Sequence, residues 1–240
     1  PLHAHGARLG RARRPLRQSA AAFAESASGN DINVPKFIRA AKAYCDLVAR
    51  FGHFSGPSAA EVRRCITKIE NAARSLASSR RLQRNSMRSI LQAEAETGMH
   101  GRGGEIADPS AAMGLLWTRR GLAFWLDVFQ QHAKKSGCLR AQMSSAYERT
   151  RALATLLARP TAHSRVRPPA AVAPFHGWIS RRAFIVASSA APTWEDVCKS
   201  ADLAPSDELL REDQRAWAAA LRRLMRSMQA MQAKYDLEDV

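Results

Sequence analysis

Met113-Gly114-Leu115-Leu116-Trp117-Thr118-Arg119-Arg120-Gly121-Leu122-Ala123-Phe124-Trp125-Leu126-Asp127-Val128-Phe129 is the most apolar stretch of the chain, and its reading decides the fold. Asp108-Pro109 ahead of it reads as an N-cap followed by a first-turn proline, so the stretch is a helix. Arg119, Arg120 and Asp127 interrupt it, and no run in the protein approaches 18 consecutive apolar residues, which excludes a membrane-spanning helix. The stretch is therefore a core helix, and the segments on either side must supply what covers it.

They do so with helical periodicity. Phe37, Ala41, Tyr44, Val48 and Phe51 recur every three or four residues, and Gly52 with Ser55-Gly56-Pro57-Ser58 ends that stripe. A second helix runs from about Ala59, with Val62, Ile66, Ile69, Ala73 and Leu76 on one face. A third covers roughly 81–97 and carries Met87, Ile90, Leu91 and Ala95. Beyond the central stretch, a helix from about Leu139 includes Tyr147 and dissolves at Arg159-Pro160. Pattern resumes from Phe175 to Ala191. Thr193-Trp194-Glu195-Asp196 and Ser206-Asp207-Glu208 have the polar spacing of helix starts. The last helix carries Leu210, Trp217, Leu221, Leu224, Met228, Met231 and Tyr235. No segment reads as a strand, so the chain is all-α.

Composition narrows the function classes. The 240 residues hold 37 Lys+Arg and 21 Asp+Glu, a net charge of +16. Such a balance raises nucleic acid as a partner. However, residues 1–30 contribute +4 and residues 149–170 contribute +5, nine of the sixteen, from low-complexity sequence. No nucleic-acid partner is expected. Residues 1–33 read as a basic tail with the composition of a transit peptide, and about 149–171 as an Arg/Pro-rich insertion. The four cysteines, Cys45, Cys65, Cys138 and Cys198, form no CxxC and no zinc spacing, which fits a reducing compartment. No nucleophile elbow, HExxH, P-loop or dinucleotide glycine pattern occurs, so catalysis, metal and cofactor all lack support.

Three local features remain. Glu61, Cys65 and Lys68 fall at i, i+4, i+7 on one helix face. Trp117 sits beside Arg119 and Arg120 in the apolar stretch. Phe175-His176-Gly177-Trp178 forms a short motif. Taken singly, each reads as well as a solvated face, a core tryptophan with snorkelling arginines, or a structural histidine.

Taken in order, they resemble the glycolipid transfer protein family. The resemblance lies in Ile66-Thr67-Lys68-Ile69, Leu116-Trp117-Thr118-Arg119-Arg120-Gly121-Leu122, Ala146-Tyr147-Glu148, Phe175-His176-Gly177-Trp178-Ile179 and the ending Tyr235–Val240. It covers about 34–148 and 172–240. It implies a two-layer α-helical sandwich of about eight helices over 34–240 with an internal apolar lipid pocket. It also implies a monomeric carrier, cytoplasmic and transiently at membrane surfaces, that moves one sphingolipid without chemistry. By the same resemblance, Glu61, where Asp is usual, accepts the ceramide amide N–H, and His176 donates to the amide carbonyl. Cys65, where Asn is usual, and Lys68 face the head group. Trp117 stacks on the first sugar, and Trp178 docks on the membrane.

Physical chemistry agrees with that set. A buried amide needs a donor and an acceptor together, and an indole offers a sugar its flat face. Family members that select ceramide phosphate place cations at the head group and typically lack the stacking Trp. Trp117 thus favours a glycosylceramide, while Cys65 leaves ceramide phosphate open and Arg120 is the nearest cation to serve it. A lipid-sensing module that keeps the fold is the further alternative. Tyr147 and His176 stand 29 residues apart against about eight in the family, which is where the insertion lies.

Overall fold

Trp125 and Trp217, both fully buried, mark the centre of the molecule, and helices from both ends of the chain converge on them. The computed structural model describes residues 14–78, 85–101, 106–134, 137–157, 186, 188–204, 206–235 and 237. Eight α-helices have defined ends among the described residues: α1 Pro15–Ser26, α2 Val34–Ala49, α3 Gly56–Ser78, α4 Met87–Glu96, α5 Ala111–Lys134, α6 Leu139–Leu157, α7 Trp194–Ala201 and α8 Asp207–Lys234. None is long and apolar enough to cross a membrane.

The predicted stripes are the buried faces. Phe37, Ala41, Tyr44 and Val48 of α2, and Val62, Ile66 and Ile69 of α3, have almost no exposed surface. Helix α2 packs on α1 and α3, α3 on α5, and α5 on α6 and α8. Aromatic rings lock these contacts: Phe51 lies edge-on to Trp125 at 5.1 Å, Phe129 edge-on to Trp217 at 5.2 Å, and Tyr44 stacks on Trp217 at 5.9 Å. The indole N–H of Trp125 donates to Ser58 Oγ and that of Trp217 to Ser19 Oγ, so neither large ring is buried with an unpaired donor.

The expected helix starts at Thr193 and Ser206 both occur. Thr193 forms a reciprocal capping box with Asp196, and Ser206 accepts the Leu209 N–H. The central helix starts differently from the sequence reading. Ser110, not Asp108, accepts the Met113 N–H at 3.0 Å, and the helix opens at Ala111, beyond Pro109. Two more of its first-turn N–H groups, those of Ala111 and Ala112, donate to the buried carboxylate of Glu94 on α4 at 2.6 and 2.9 Å. An acid at the positive end of a helix dipole is well placed, and here it ties α4 to α5.

The reading of residues 1–33 as a tail needs correction from residue 14 on; residues 1–13 lie outside the described residues. Helix α1 occupies Pro15–Ser26, and Leu16, Ala20 and Phe23 are buried against α2 and α8. Its stripe alternates with Ser19 and Ala20, residues small enough to hide a helical period inside an Arg/Ala/Ser composition. The arginines are paired as well. Arg14 donates through Nε and Nη2 to Asp213 at 3.0 and 2.5 Å, and Arg17 reaches Glu212 at 2.6 Å. Asp213 is buried, so α1 supplies the counter-charge that lets α8 bury an acid there. The chain leaves α1 through a two-residue antiparallel pair, β1 Ala27–Ser28 with β2 Asp31–Ile32, around Gly29 at φ 59°. A pair this short carries no strand pattern, so the sequence reading of no strands misses it. The third predicted helix begins at Met87 rather than near 81, capped by Ser86. The second begins at Gly56, three residues before the expected start. Helix α6 continues to Leu157, so the first part of the expected insertion is helical, and the rest lies outside the described residues.

Two outcomes follow from this packing. Protein lacking residues 1–26 loses cooperative thermal unfolding, because Phe37, Tyr44 and Trp217 lose their cover and Asp213 its partner; a tail would leave the melting curve unchanged. His132, buried against Trp194 with ring centroids 4.1 Å apart and hydrogen-bonded to Gln214, has its pKa held below the ordinary 6.5, chiefly by burial. The unfolded chain therefore binds its proton more readily. The stability that His132 contributes is present above about pH 6.5 and is lost as the pH falls below it. Melting temperatures measured between pH 7 and pH 5 fall more steeply for the wild type than for His132→Gln.

Candidate functional site

Helices α3 and α5 approach each other more closely than side chains normally allow. A Cβ placed on Gly114 would lie 2.6 Å from the Cys65 carbonyl oxygen, 3.0 Å from Ile69 Cγ1 and 3.3 Å from Lys68 Cβ. One placed on Gly121, two helical turns later, would lie 2.7 Å from Val62 Cγ2. The two glycines share one face of α5, and the helices run antiparallel along it. Trp117 falls between them in sequence, so this register sets it alongside the stretch of α3 that carries Glu61, Cys65 and Lys68.

Each member of that group is held by a neighbour. Glu61 is mostly buried, with 12% of its side chain exposed, and its carboxylate forms an ion pair with Arg64. The Cys65 thiol donates to the other Glu61 oxygen at 3.9 Å. Cys65 has no exposed surface; burial first, and the Glu61 charge second, push its pKa up to about 12. It is a neutral thiol at ordinary pH. Lys68 keeps 24% of its side chain exposed and pairs through Nζ with Asp108 at 2.6 Å. Asp108, expected to cap α5, thus fixes the lysine, and the loop before α5 is drawn onto α3.

Trp117 is 7% exposed. Its indole N–H donates to Met113 Sδ at 3.0 Å, one turn back. The Arg120 guanidinium carbon lies 4.9 Å from the ring centroid, a cation–π contact over the indole face. The seam therefore presents an acid, a neutral thiol, a lysine, an indole and an arginine along one helix pair. Such a set can accept an N–H, and it can hold a hydroxylated ring or an anion. His176 and Trp178 lie outside the described residues, so the structure does not report on them.

Arg64, Asp108 and the two glycines were not read from sequence as members of the site. Arg64 is one turn from Glu61, a spacing at which opposite charges pair, and Gly114 and Gly121 are seven apart, one face of a helix. Both signals were readable. The Lys68–Asp108 pair spans 40 residues and left no local trace.

The family model described as Glycolipid transfer protein (GLTP) matches residues 32–154. No curated protein matches the sequence. The solved human ceramide-1-phosphate transfer protein, in complex with 2:0 ceramide-1-phosphate, is similar with a TM-score of 0.73 and 16% identity, over 95% of this chain and 99% of that one. HET-C2, a fungal glycolipid transfer protein, gives 0.65 and 18% identity over 88% and 92%. Accelerated-cell-death 11 of Arabidopsis, in its apo form, gives 0.65 and 16% over 93% and 100%. At such identities these structures speak for the fold, which is the helical sandwich expected from sequence.

If the α3–α5 approach depends on the missing side chain at Gly114, Gly114→Ala destabilises the protein by about 1–3 kcal/mol, since a backbone carbonyl cannot swing aside. Gly56→Ala, where an added Cβ meets nothing within 4 Å, is neutral or stabilising. Chemical denaturation of both variants checks the contrast.

Proposed function

Because this chain belongs to the glycolipid transfer protein family, we propose that it carries one ceramide-based lipid between membrane surfaces without chemistry, and that the lipid is a glycosylceramide. The observation that carries the reading is the α3–α5 seam, whose glycine-enforced closeness puts Trp117 in register with Glu61, Cys65 and Lys68. In this reading Glu61 accepts the amide N–H, His176 donates to the amide carbonyl, Lys68 and Cys65 face the head group, Trp117 receives the sugar and Trp178 meets the membrane. Glu61 is suited to its part. A mostly buried carboxylate that pairs with Arg64 keeps lone pairs for an incoming N–H.

The lipid chains leave a bilayer for an apolar interior, a transfer close to neutral in free energy. Selection must therefore come from the polar groups at the seam. Here one observation favours a second reading, ceramide phosphate. Arg120 already covers a face of the Trp117 ring, and it stands with Lys68 as a cation beside the seam. A guanidinium forks onto phosphate oxygens with charge-assisted hydrogen bonds. Proteins named for ceramide-1-phosphate transfer and for glycolipid transfer are both among the solved structures of this fold.

Mass spectrometry of lipid extracted from the purified protein identifies the head group directly. Two variants then assign the residues. On the glycosylceramide reading, Trp117→Leu weakens glucosylceramide binding by about 2- to 12-fold, the worth of an aromatic contact, and leaves ceramide phosphate unchanged. On the phosphate reading, Arg120→Gln weakens ceramide phosphate by about 10- to 150-fold, the worth of a charged hydrogen bond, and spares glucosylceramide. Equal loss of both lipids together with a lower melting temperature assigns the residue to the core.

A further inference from the structure

The last helix carries a row of cations with no anion to answer it among the described residues. Between Gln214 and Tyr235, α8 contains Arg215, Arg222, Arg223, Arg226 and Lys234 and no acid. All five are exposed. At 3.6 residues per turn, Arg215, Arg222 and Arg226 fall within about 20° of one line along the helix, with Ala219 between the first two and Ala230 and Ala233 beyond the last. The row is about 16 Å long, straight and free of bulky side chains between its guanidinium groups.

Several other arginines on the described surface are answered by an acid: Arg14, Arg17, Arg63, Arg64 and Arg149 each hold a carboxylate. Among the described residues, none of the α8 row forms an ion pair, and only Arg222 has a hydrogen bond, to its own helix at the Ala218 carbonyl. The residues outside the description contain four acids, Glu105, Asp236, Glu238 and Asp239, of which the nearest to Arg226 is ten residues on and lies beside Lys234 in sequence. Lys234 lies over the Tyr235 ring, and the charge of Arg215, Arg222 and Arg226 has no acid to answer it among the described residues.

We infer that the exposed face of α8 is a second membrane-contact surface, one that adsorbs to anionic lipid head groups. It is separate from the α3–α5 seam, because α8 packs on α1 and α5 while the seam is closed by α3. The partner is a lipid plane rather than a nucleic acid because the residues among the arginines are alanines. Between Arg215 and Arg226 they offer no amide or hydroxyl to read base edges, the one exposed amide nearby being Gln229 beyond Arg226, and this face has no exposed aromatic ring to stack a base. A flat row of guanidinium groups instead matches a plane of phosphates and carboxylates. No large apolar side chain on this face would insert, so contact is electrostatic and salt-sensitive. The inference rests on the carrier reading for the presence of a membrane, but it does not depend on which lipid is carried.

The test uses the full chain and two triple variants that remove equal charge. One is Arg215→Gln/Arg222→Gln/Arg226→Gln; the other is Lys134→Gln/Arg140→Gln/Lys199→Gln, at exposed positions on α5, α6 and α7. Co-sedimentation is measured on phosphatidylcholine vesicles with and without 20 mol% phosphatidylserine, over a salt series. At about fivefold per arginine, the α8 variant loses about 100-fold in partition to the anionic vesicles, while the control variant stays within about fivefold of wild type. Equal losses in both variants reduce the effect to net charge and overturn the proposal. So does wild-type partition by the α8 variant, or a loss confined to duplex DNA binding. Lipid exchange between purely neutral vesicles is unchanged in the α8 variant; if the wild type shows no exchange there, the carrier reading fails independently of the α8 surface.

Discussion

The close approach of α3 to α5 is the constraint on which the rest of the molecule depends. Helix axes come this near only where one surface lacks side chains, and Gly114 and Gly121 remove them on one face of α5. The flanking helices then have fixed places. Trp125 reaches Ser58 of α3, Phe129 reaches Trp217 of α8, and Glu94 of α4 receives the first N–H groups of α5. Larger residues at the two glycines would push α3 outward. The core would lose contacts that fall off steeply with separation. The seam that carries the candidate site is thus the tightest joint in the fold. A site on two helices locked together can hold its polar groups at fixed spacing.

How much of this was legible in the sequence depends on the length scale of each signal. The stripes of α2, α3 and α8 are periodic over several turns with large side chains, and they are the buried faces. The caps at Thr193 and Ser206 are three-residue signals and are where they were expected. Helix α1 was missed because its buried positions include Ser19 and Ala20, which look the same in a core as in a tail. Its arginines look solvated until Asp213, about two hundred residues away, is brought to them. The cap on α5 from Glu94 and the hold of Asp108 on Lys68 were missed for the same reason. A carboxylate in a sequence does not announce which N–H or ammonium it will meet.

The candidate site was legible chiefly through resemblance. From spacing alone, Glu61, Cys65 and Lys68 share a face and nothing more is specified. The structure adds what spacing omits: each charge at the seam already has a partner. Glu61 holds Arg64, Lys68 holds Asp108, and Arg120 lies over Trp117. Cys65 is buried and neutral, so it cannot supply the paired donor and acceptor of an amide. The site is preorganised in charge, and on the carrier reading a polar head group exchanges bonds with groups already satisfied.

That exchange bears on how selectivity arises. A neutral sugar gains little from displacing an ion pair, since its hydroxyls form ordinary hydrogen bonds in place of charged ones. It can instead add to the site by using the indole face and leaving Lys68–Asp108 intact. A phosphate has the opposite balance. It competes with Asp108 for the same ammonium and repels both nearby carboxylates, so it gains only where its charged hydrogen bonds outweigh those losses. On the carrier reading, the contact of Arg120 with the indole is one of the terms that decide between them. Lifting a guanidinium off an indole costs about 0.5–2 kcal/mol, and a charged hydrogen bond to phosphate returns about 1.5–3. The difference is small and its sign turns on the geometry of one side chain. On the carrier reading, moving a single cation at the α3–α5 seam is therefore enough to change the head-group preference.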